Sequence, residues 1–350
     1  MEKTKYGSLK EIGEVSLYTL TNKNGMSISV TDLGATLVKV LVPDRTGTLR
    51  DVVLGYDTPE GYLENTCYFG ATIGRSGNRI DKGRFVIGGK TYQLDINDNE
   101  NDLHSGNHGY HIRKWEAIKA DDEKNSITFT LFSPDGDQGF PGNFKVSVTY
   151  TLTEENELVL HYEGISDADT VANLTNHSYF NLGGHDSGSI EDHVLTLAAK
   201  SYTPVRDNQA IPTGEVAPVD GTPMDFTFPK AIGRDIEADF QQLLYVGGYD
   251  HNFVLSDKTG EQRKMAEAYC EKTGIVMEAF TDCCGVQFYA GNFITPQEGK
   301  DGVPYGKRHG FCLESQYYPN SINQAGFPSP LLKAGEKYDT VTSYKFSVRA

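Results

Sequence analysis

Alternation with a period of two residues is the feature that most limits what this chain can fold into. In the stretch NSITFTLFS, Ile127, Phe129 and Leu131 alternate with polar residues. Val146, Val148, Tyr150 and Leu152 extend the pattern to the turn-like EENE at 154–157, and Leu158, Leu160 and Tyr162 carry it back. Successive strand side chains point to opposite faces, so these segments predict antiparallel strands with one buried face. Met265–Cys270 and Ile275–Thr281, joined by EKTG, predict another hairpin. The 20 Tyr and 17 Phe suit a pleated surface. Helical signals are few. Thr58-Pro59-Glu60 reads as an N-cap followed by Pro at the first helical position, and Ile232, Ile236, Phe240 and Leu243 have helical spacing. There is no strand–helix–strand rhythm, no low-complexity tract and no repeat of fixed period. The expectation is an all-β fold, a large antiparallel β-sandwich with few short helices. A length of 350 residues suggests about two domains; the continuous run of short strands predicts a single domain, 1–350.

Composition narrows the function classes. Asp and Glu number 48 against 32 Lys and Arg, a formal net charge of −16. Unselective binding to nucleic acid or to an anionic membrane needs the opposite sign, so neither partner is expected. The five cysteines are odd in number, with no C-x-x-C pair and no regular spacing. They do not read as a secreted disulfide framework. The start, MEKTKYGSLKEIGEV, lacks the apolar core of a signal peptide, and no apolar run approaches a membrane span. A cytoplasmic location is expected, and the sequons at Asn173 and Asn176 read as chance.

Several polar segments carry chemistry. ATIGRSGNRI sets Arg75, Asn78 and Arg79 among Gly74 and Gly77, either as a structural turn or as a turn converging polar groups on a ligand. HSGNHGYH brings His104, His108 and His111 close together, but its glycines break any helix that would set metal-ligand spacing, and no Cys or H-E-x-x-H partner appears. No metal is expected. LTNHSYFNLGG places His177 beside aromatic residues, where a group that titrates near neutrality is either a satisfied core histidine or a proton donor. GYDHNFVL carries Asp250 and His251, GVQFYAGNF carries Gln287, and Glu314 follows the apolar run Phe311-Cys312-Leu313.

Taken together, GATIGRSGNRI, NDLHSGNHGYHIRKWEA, GFPGNFKVSVTYTL, LTNHSYFNLGG, GYDHNFVL, GVQFYAGNF and YGKRHGFCLESQYYPNSINQAGFPS resemble, in order and spacing, the aldose 1-epimerases, or galactose mutarotases. The resemblance runs from about Gly34 to the C-terminus. It implies a β-sandwich of the galactose mutarotase kind with a sugar-binding cleft and no cofactor. It further implies Glu314 as general base, His177 as general acid and His104 near the sugar ring oxygen. Asn78, Arg79, Tyr179, Asp250 and Gln287 match positions that hold sugar hydroxyls, with Tyr179 also suited to covering an apolar sugar face. His108, His111 and His251 are expected to stay off the ligand. Ser105, Cys284, Tyr317 and Asn320 depart from the family pattern, which bears on loop shape and substrate preference.

The implied reaction interconverts α and β anomers of a neutral aldohexose such as galactose or glucose. It needs one base and one acid, and each positioned proton transfer typically contributes ~10²–10⁴-fold. A sugar-binding protein without turnover, a hexose-phosphate mutarotase and a glycosidase working through two carboxylates are the competing readings. The absence of a basic cluster disfavours a phosphorylated substrate. A monomer or weak homodimer is expected.

Overall fold

The computed structural model describes residues 1–64 and 67–349. Three larger antiparallel sheets organise it. A five-stranded meander runs from Glu2–Leu9 to Leu49–Asp51, each strand pairing with the next. The second sheet has nine strands. Its first half is the meander Glu116–Asp121, Ser126–Ser133, Phe144–Leu152 and Glu157–Ser166; Lys337–Val348 then joins it to Ile275–Thr281, Arg263–Tyr269, Val194–Leu197 and Lys230–Ala231. The third sheet orders Ala217–Pro218, Ser201–Tyr202, Asp250–Val254, Gly285–Tyr289 and Cys312–Gln316.

Both predicted hairpins form. Ile127 faces Tyr150 and Phe129 faces Val148 across one ladder, and Tyr150 faces Leu160 across the next. These five apolar residues are buried and Leu131 is partly so, while the intervening Lys145, Ser147 and Thr149 are not buried. The second hairpin pairs Ala268 with Met277. One buried cluster draws on all three sheets, through Ile28 and Val30 of the first, Phe129 and Leu160 of the second, and Phe288 and Leu313 of the third.

Among the described residues the α-helices are Pro59–Glu64, which starts at the expected Pro, and Gln241–Val246. The helical spacing at 232–243 is not one helix. Ile232–Arg234 forms a single 3-10 turn, Phe240 is extended at φ −128°, and the α-helix begins only at Gln241. Ile232, Ile236 and Leu243 are nonetheless buried. Asp235 accepts from Lys230 Nζ at 3.1 Å and its backbone carbonyl from the Ala238 amide, so turns seat these apolar side chains in place of a helix. No helix among the described residues is long and apolar enough to cross a membrane.

Candidate active site

The third sheet builds one wall of a cavity of about 390 Å³, a size that suits a small ligand. Its register explains which side chains reach the wall. Gln287 pairs with both Asn252 and Glu314, Tyr289 with Asp250 and Cys312, and Gly285 with Gln316. Alternation therefore puts Asp250, Asn252, Gln287, Tyr289, Cys312, Glu314 and Gln316 on one face. Phe253, Val286, Phe288 and Leu313 face the core. His251 falls on the core side too, edge-on to Tyr202, with its Nδ1 accepting from the Asp250 amide.

His177 enters from the opposite wall. Its backbone N–H donates to Ala71 O and its carbonyl accepts from Gly70 N, both at 2.9 Å. Asn176 Oδ1 accepts from the Ser178 amide and hydroxyl, so His177 sits at the apex of a side-chain-closed turn. Gly70 is required here: at φ +67° a Cβ would lie 2.0 Å from Leu37 O. The ring lies over Tyr179, with centroids 5.1 Å apart at 28°, and its Nε2 is 3.6 Å from Glu314 Oε2. Nδ1 is 3.5 Å from Cys312 Sγ. Glu314 Oε2 is buried without a hydrogen-bond partner.

His104 completes the centre, at the tip of the ribbon formed by Arg79–Ile80 and Asp102–Leu103. Asn78 grips its backbone and ring together: Asn78 O accepts from the His104 amide at 3.1 Å, and Asn78 N donates to His104 Nδ1 at 3.2 Å. The proton of the neutral ring is thus on Nε2. Arg79 pairs with Asp98 at 2.7 Å on the cavity wall. Asp250 is held by Gln287 Nε2 at 2.7 Å, and Gln287 Oε1 accepts from Gln316. The chain closes with Asn78 Nδ2 donating to Gln316 Oε1 at 3.3 Å.

Burial sets the electrostatics. Desolvation pushes the His177 ring down to about 3 and His104 well below the usual histidine range. Burial, with the Asp250 charge adding to it and Arg79 opposing, pushes Glu314 far above the carboxylate range. Asp250 is raised by burial against the pull of Arg79 and Gln287. Burial thus favours the uncharged form of both Glu314 and His177.

His104, His177 and Glu314 each offer a donor atom within 4.8 Å of the others, a spacing that a metal ion could use. The hydrogen bonds suit a sugar better. A ligating histidine turns its second nitrogen, as a donor, to a carboxylate or carbonyl. His104 Nδ1 instead accepts from a backbone amide, which leaves Nε2–H as a donor to the cavity.

Asn78, Arg79, His104, His177, Tyr179, Asp250 and Glu314 all line the cavity, whereas Gln287 stands behind Asp250. Arg75, from the same turn as Arg79, points away and is buried, its guanidinium donating to Ser133, Thr170, Pro141 and Gly142. His108 is exposed, and His111 packs edge-on against the outer side of Tyr68. The two sequons are buried, with Asn173 and Asn176 bonded through their side chains. Sequence reasoning missed Tyr68, Asp98, Tyr289, Cys312 and Gln316. The last three were open to it: two-residue steps from Gln287 and Glu314 along their strands lead to each. Tyr68, with rings of His104 and His177 within 4.8 and 5.7 Å, and Asp98 come from loops that carry no such signal.

The aldose 1-epimerase family profile matches residues 16–345. The chain belongs to the aldose 1-epimerase family. Galactose mutarotase from Rattus norvegicus is 42% identical over 347 residues, covering 99% of this chain and 98% of that protein. Galactose mutarotase from Homo sapiens is 44% identical, covering 92% of each chain, and aldose 1-epimerase from Escherichia coli K12 is 37% identical, covering 94% of each. A crystal structure of galactose 1-epimerase from Lactobacillus acidophilus superposes with a TM-score of 0.86 at 30% identity, covering 100% of this chain and 99% of that one. An aldose epimerase homologue from C. elegans gives 0.87 at 29% identity, covering 96% and 100%. Family membership makes this chain an isomerase of the epimerase class with a sugar substrate.

Proposed function

We propose that this chain interconverts the α and β anomers of a free, neutral aldohexose such as galactose or glucose, acting as one domain and without a cofactor. The observation that carries the reading is the pairing of His177 Nε2 with Glu314 Oε2 at 3.6 Å across a polar cavity. In the productive charge state Glu314 is a carboxylate and His177 an imidazolium. Glu314 takes the proton of the anomeric hydroxyl, C1=O1 forms, the bond from C1 to the ring oxygen breaks, and His177 Nε2–H protonates that oxygen. Rotation about C1–C2 presents the other carbonyl face, and both transfers reverse. Ring opening leaves Glu314 protonated and His177 neutral, the charge state that burial favours, so the surroundings of the pair stabilise the open-chain form. His104 Nε2–H donates to the sugar beside the ring oxygen, and Asp250, Asn78 and Arg79 take hydroxyls.

Arg79 is the one permanent cation among the described lining residues, and it faces Asp98, Asp250 and Glu314. A phosphorylated sugar would find that cation already paired with Asp98, which favours the neutral substrate. A cytoplasmic location is part of the same proposal, supported by five buried cysteines that form no disulfide among the described residues.

The test is polarimetry on freshly dissolved α-D-galactose and α-D-glucose beside a buffer blank. The chain should speed the approach to the same final rotation, and Glu314→Gln should lose at least ~10²-fold in kcat with its fold intact. A fully active Glu314→Gln would refute Glu314 as the base.

A further inference from the structure

We propose that Cys312 is a positioning residue for His177: its sulfur accepts the Nδ1–H of the ring and keeps Nε2 turned to the sugar, able to give a proton and take it back. The inference rests on the acid–base reading above. Cys312 is fully buried and stands two residues before Glu314 on the same strand and the same face. The strand that carries the base therefore also backs the acid, which fixes the distance between them.

During ring opening the Nε2 proton passes to the ring oxygen, and on reclosure it returns. For Nε2 to be a bare acceptor between those events, the remaining proton must stay on Nδ1, and that proton needs a partner. Among the described residues the side-chain partner of Nδ1 is Cys312 Sγ, at 3.5 Å. A carboxylate there would make a charge-assisted bond and hold the ring as imidazolium. Sulfur is a weak acceptor, so it selects the tautomer with little pull on the charge. The thiol stays protonated, because burial and the nearby Glu314 and Asp250 push it well up. No second anion then competes with Glu314. The other groups facing the ring are Glu314, His104, His111, Arg79, Tyr68, Tyr179 and Tyr289; none of them bonds Nδ1.

The test combines ¹⁵N-histidine NMR of the sugar-free protein with polarimetric pH profiles of wild type, Cys312→Ser and Cys312→Ala. In wild type the His177 signals should show Nδ1 protonated and Nε2 bare, a result that needs no variant. Serine oxygen accepts more strongly, so Cys312→Ser should raise the His177 titration midpoint and the matching limb of the kcat profile together, by about one pH unit. Cys312→Ala should lower both and cut kcat about five- to tenfold, with KM changing less than twofold and Ser restoring most of the rate. A proton on Nε2 in wild type, or a Cys312→Ala protein with unchanged titration and kcat, would overturn the proposal. If the NMR results hold while wild type shows no mutarotation, the acid–base reading fails and the positioning by Cys312 stands.

Discussion

Gln287 shows how a residue that matches a sugar-binding position works at one remove. Its Nε2 donates to Asp250 Oδ1 and its Oε1 accepts from Gln316, so both ends of its amide are engaged behind the cavity wall. Gln287→Leu keeps the approximate volume and removes both bonds. A hydrogen bond to a charged group contributes about 1.5–3 kcal/mol. Steady-state polarimetry should therefore find kcat/KM lowered about 10–100-fold, mostly through KM, because Asp250 loses its aim while Glu314 and His177 keep theirs. A loss confined to kcat would instead place Gln287 in the proton transfers. The same scale explains Ser105, which stands where the family usually has glycine. At φ +67° it holds a conformation that glycine adopts more easily, but its Oγ accepts from Ser76 N at 2.7 Å and donates to Ser76 O at 3.0 Å. Ser105→Ala keeps the awkward φ and orphans a buried amide, which costs about 1–3 kcal/mol. Urea unfolding should show the midpoint falling with an unchanged slope. An unchanged midpoint would mean that the clamp is not needed.

At the scale of elements, the alternating strands were legible because each buries one face and solvates the other. The segments 126–133, 144–152 and 157–166 show that pattern in their side chains, apart from the exposed Phe132 and Ile165 near the strand ends. The strands of the third sheet were harder to read. In Asp250–Val254, Gly285–Tyr289 and Cys312–Gln316 nearly every residue is buried, on one side by the core and on the other by the cavity wall. Polar residues at the cavity positions then look like breaks in an apolar run. Glu314 reads either as a solvent-facing strand end or as a desolvated acid until its register against Gln287 is known. The segment 232–243 failed for a related reason. Burial at helical spacing came from turns that Asp235 closes, and spacing alone cannot tell a turn-borne apolar set from a helix face. Resemblance to the family supplied the roles proposed for His177 and Glu314, which periodicity left open.

On the whole-molecule scale, the buried titratable groups set how stability depends on pH. His177 and His251 are held down to about 3 and His111 to about 4, each chiefly by burial. Unfolding releases them to about 6.5, so the unfolded chain binds more protons below that pH, and stability rises as pH climbs from 4 toward 6.5. Asp102 works in the opposite direction. It is fully buried with neither carboxylate oxygen hydrogen-bonded, and desolvation raises it to about 8. The folded chain keeps that proton while the unfolded chain, near 3.9, does not. Stability tied to Asp102 is therefore whole below about pH 4 and falls as pH rises toward 8, and Glu314 and Asp250, also raised by burial, act in the same sense. Above 6.5 the histidines no longer offset the loss. The melting temperature should peak between pH 6 and 7 and decline beyond it. From pH 6.5 to 8 a single retained proton costs about 2 kcal/mol, which for a chain of this length is ~3 °C. Asp102→Asn removes the titration and keeps the shape, so its melting curve should lose much of that alkaline decline while the acid side stays as in wild type. A wild-type melting temperature that holds level or rises from pH 7 to 9 would show that Asp102 is ionised in the fold.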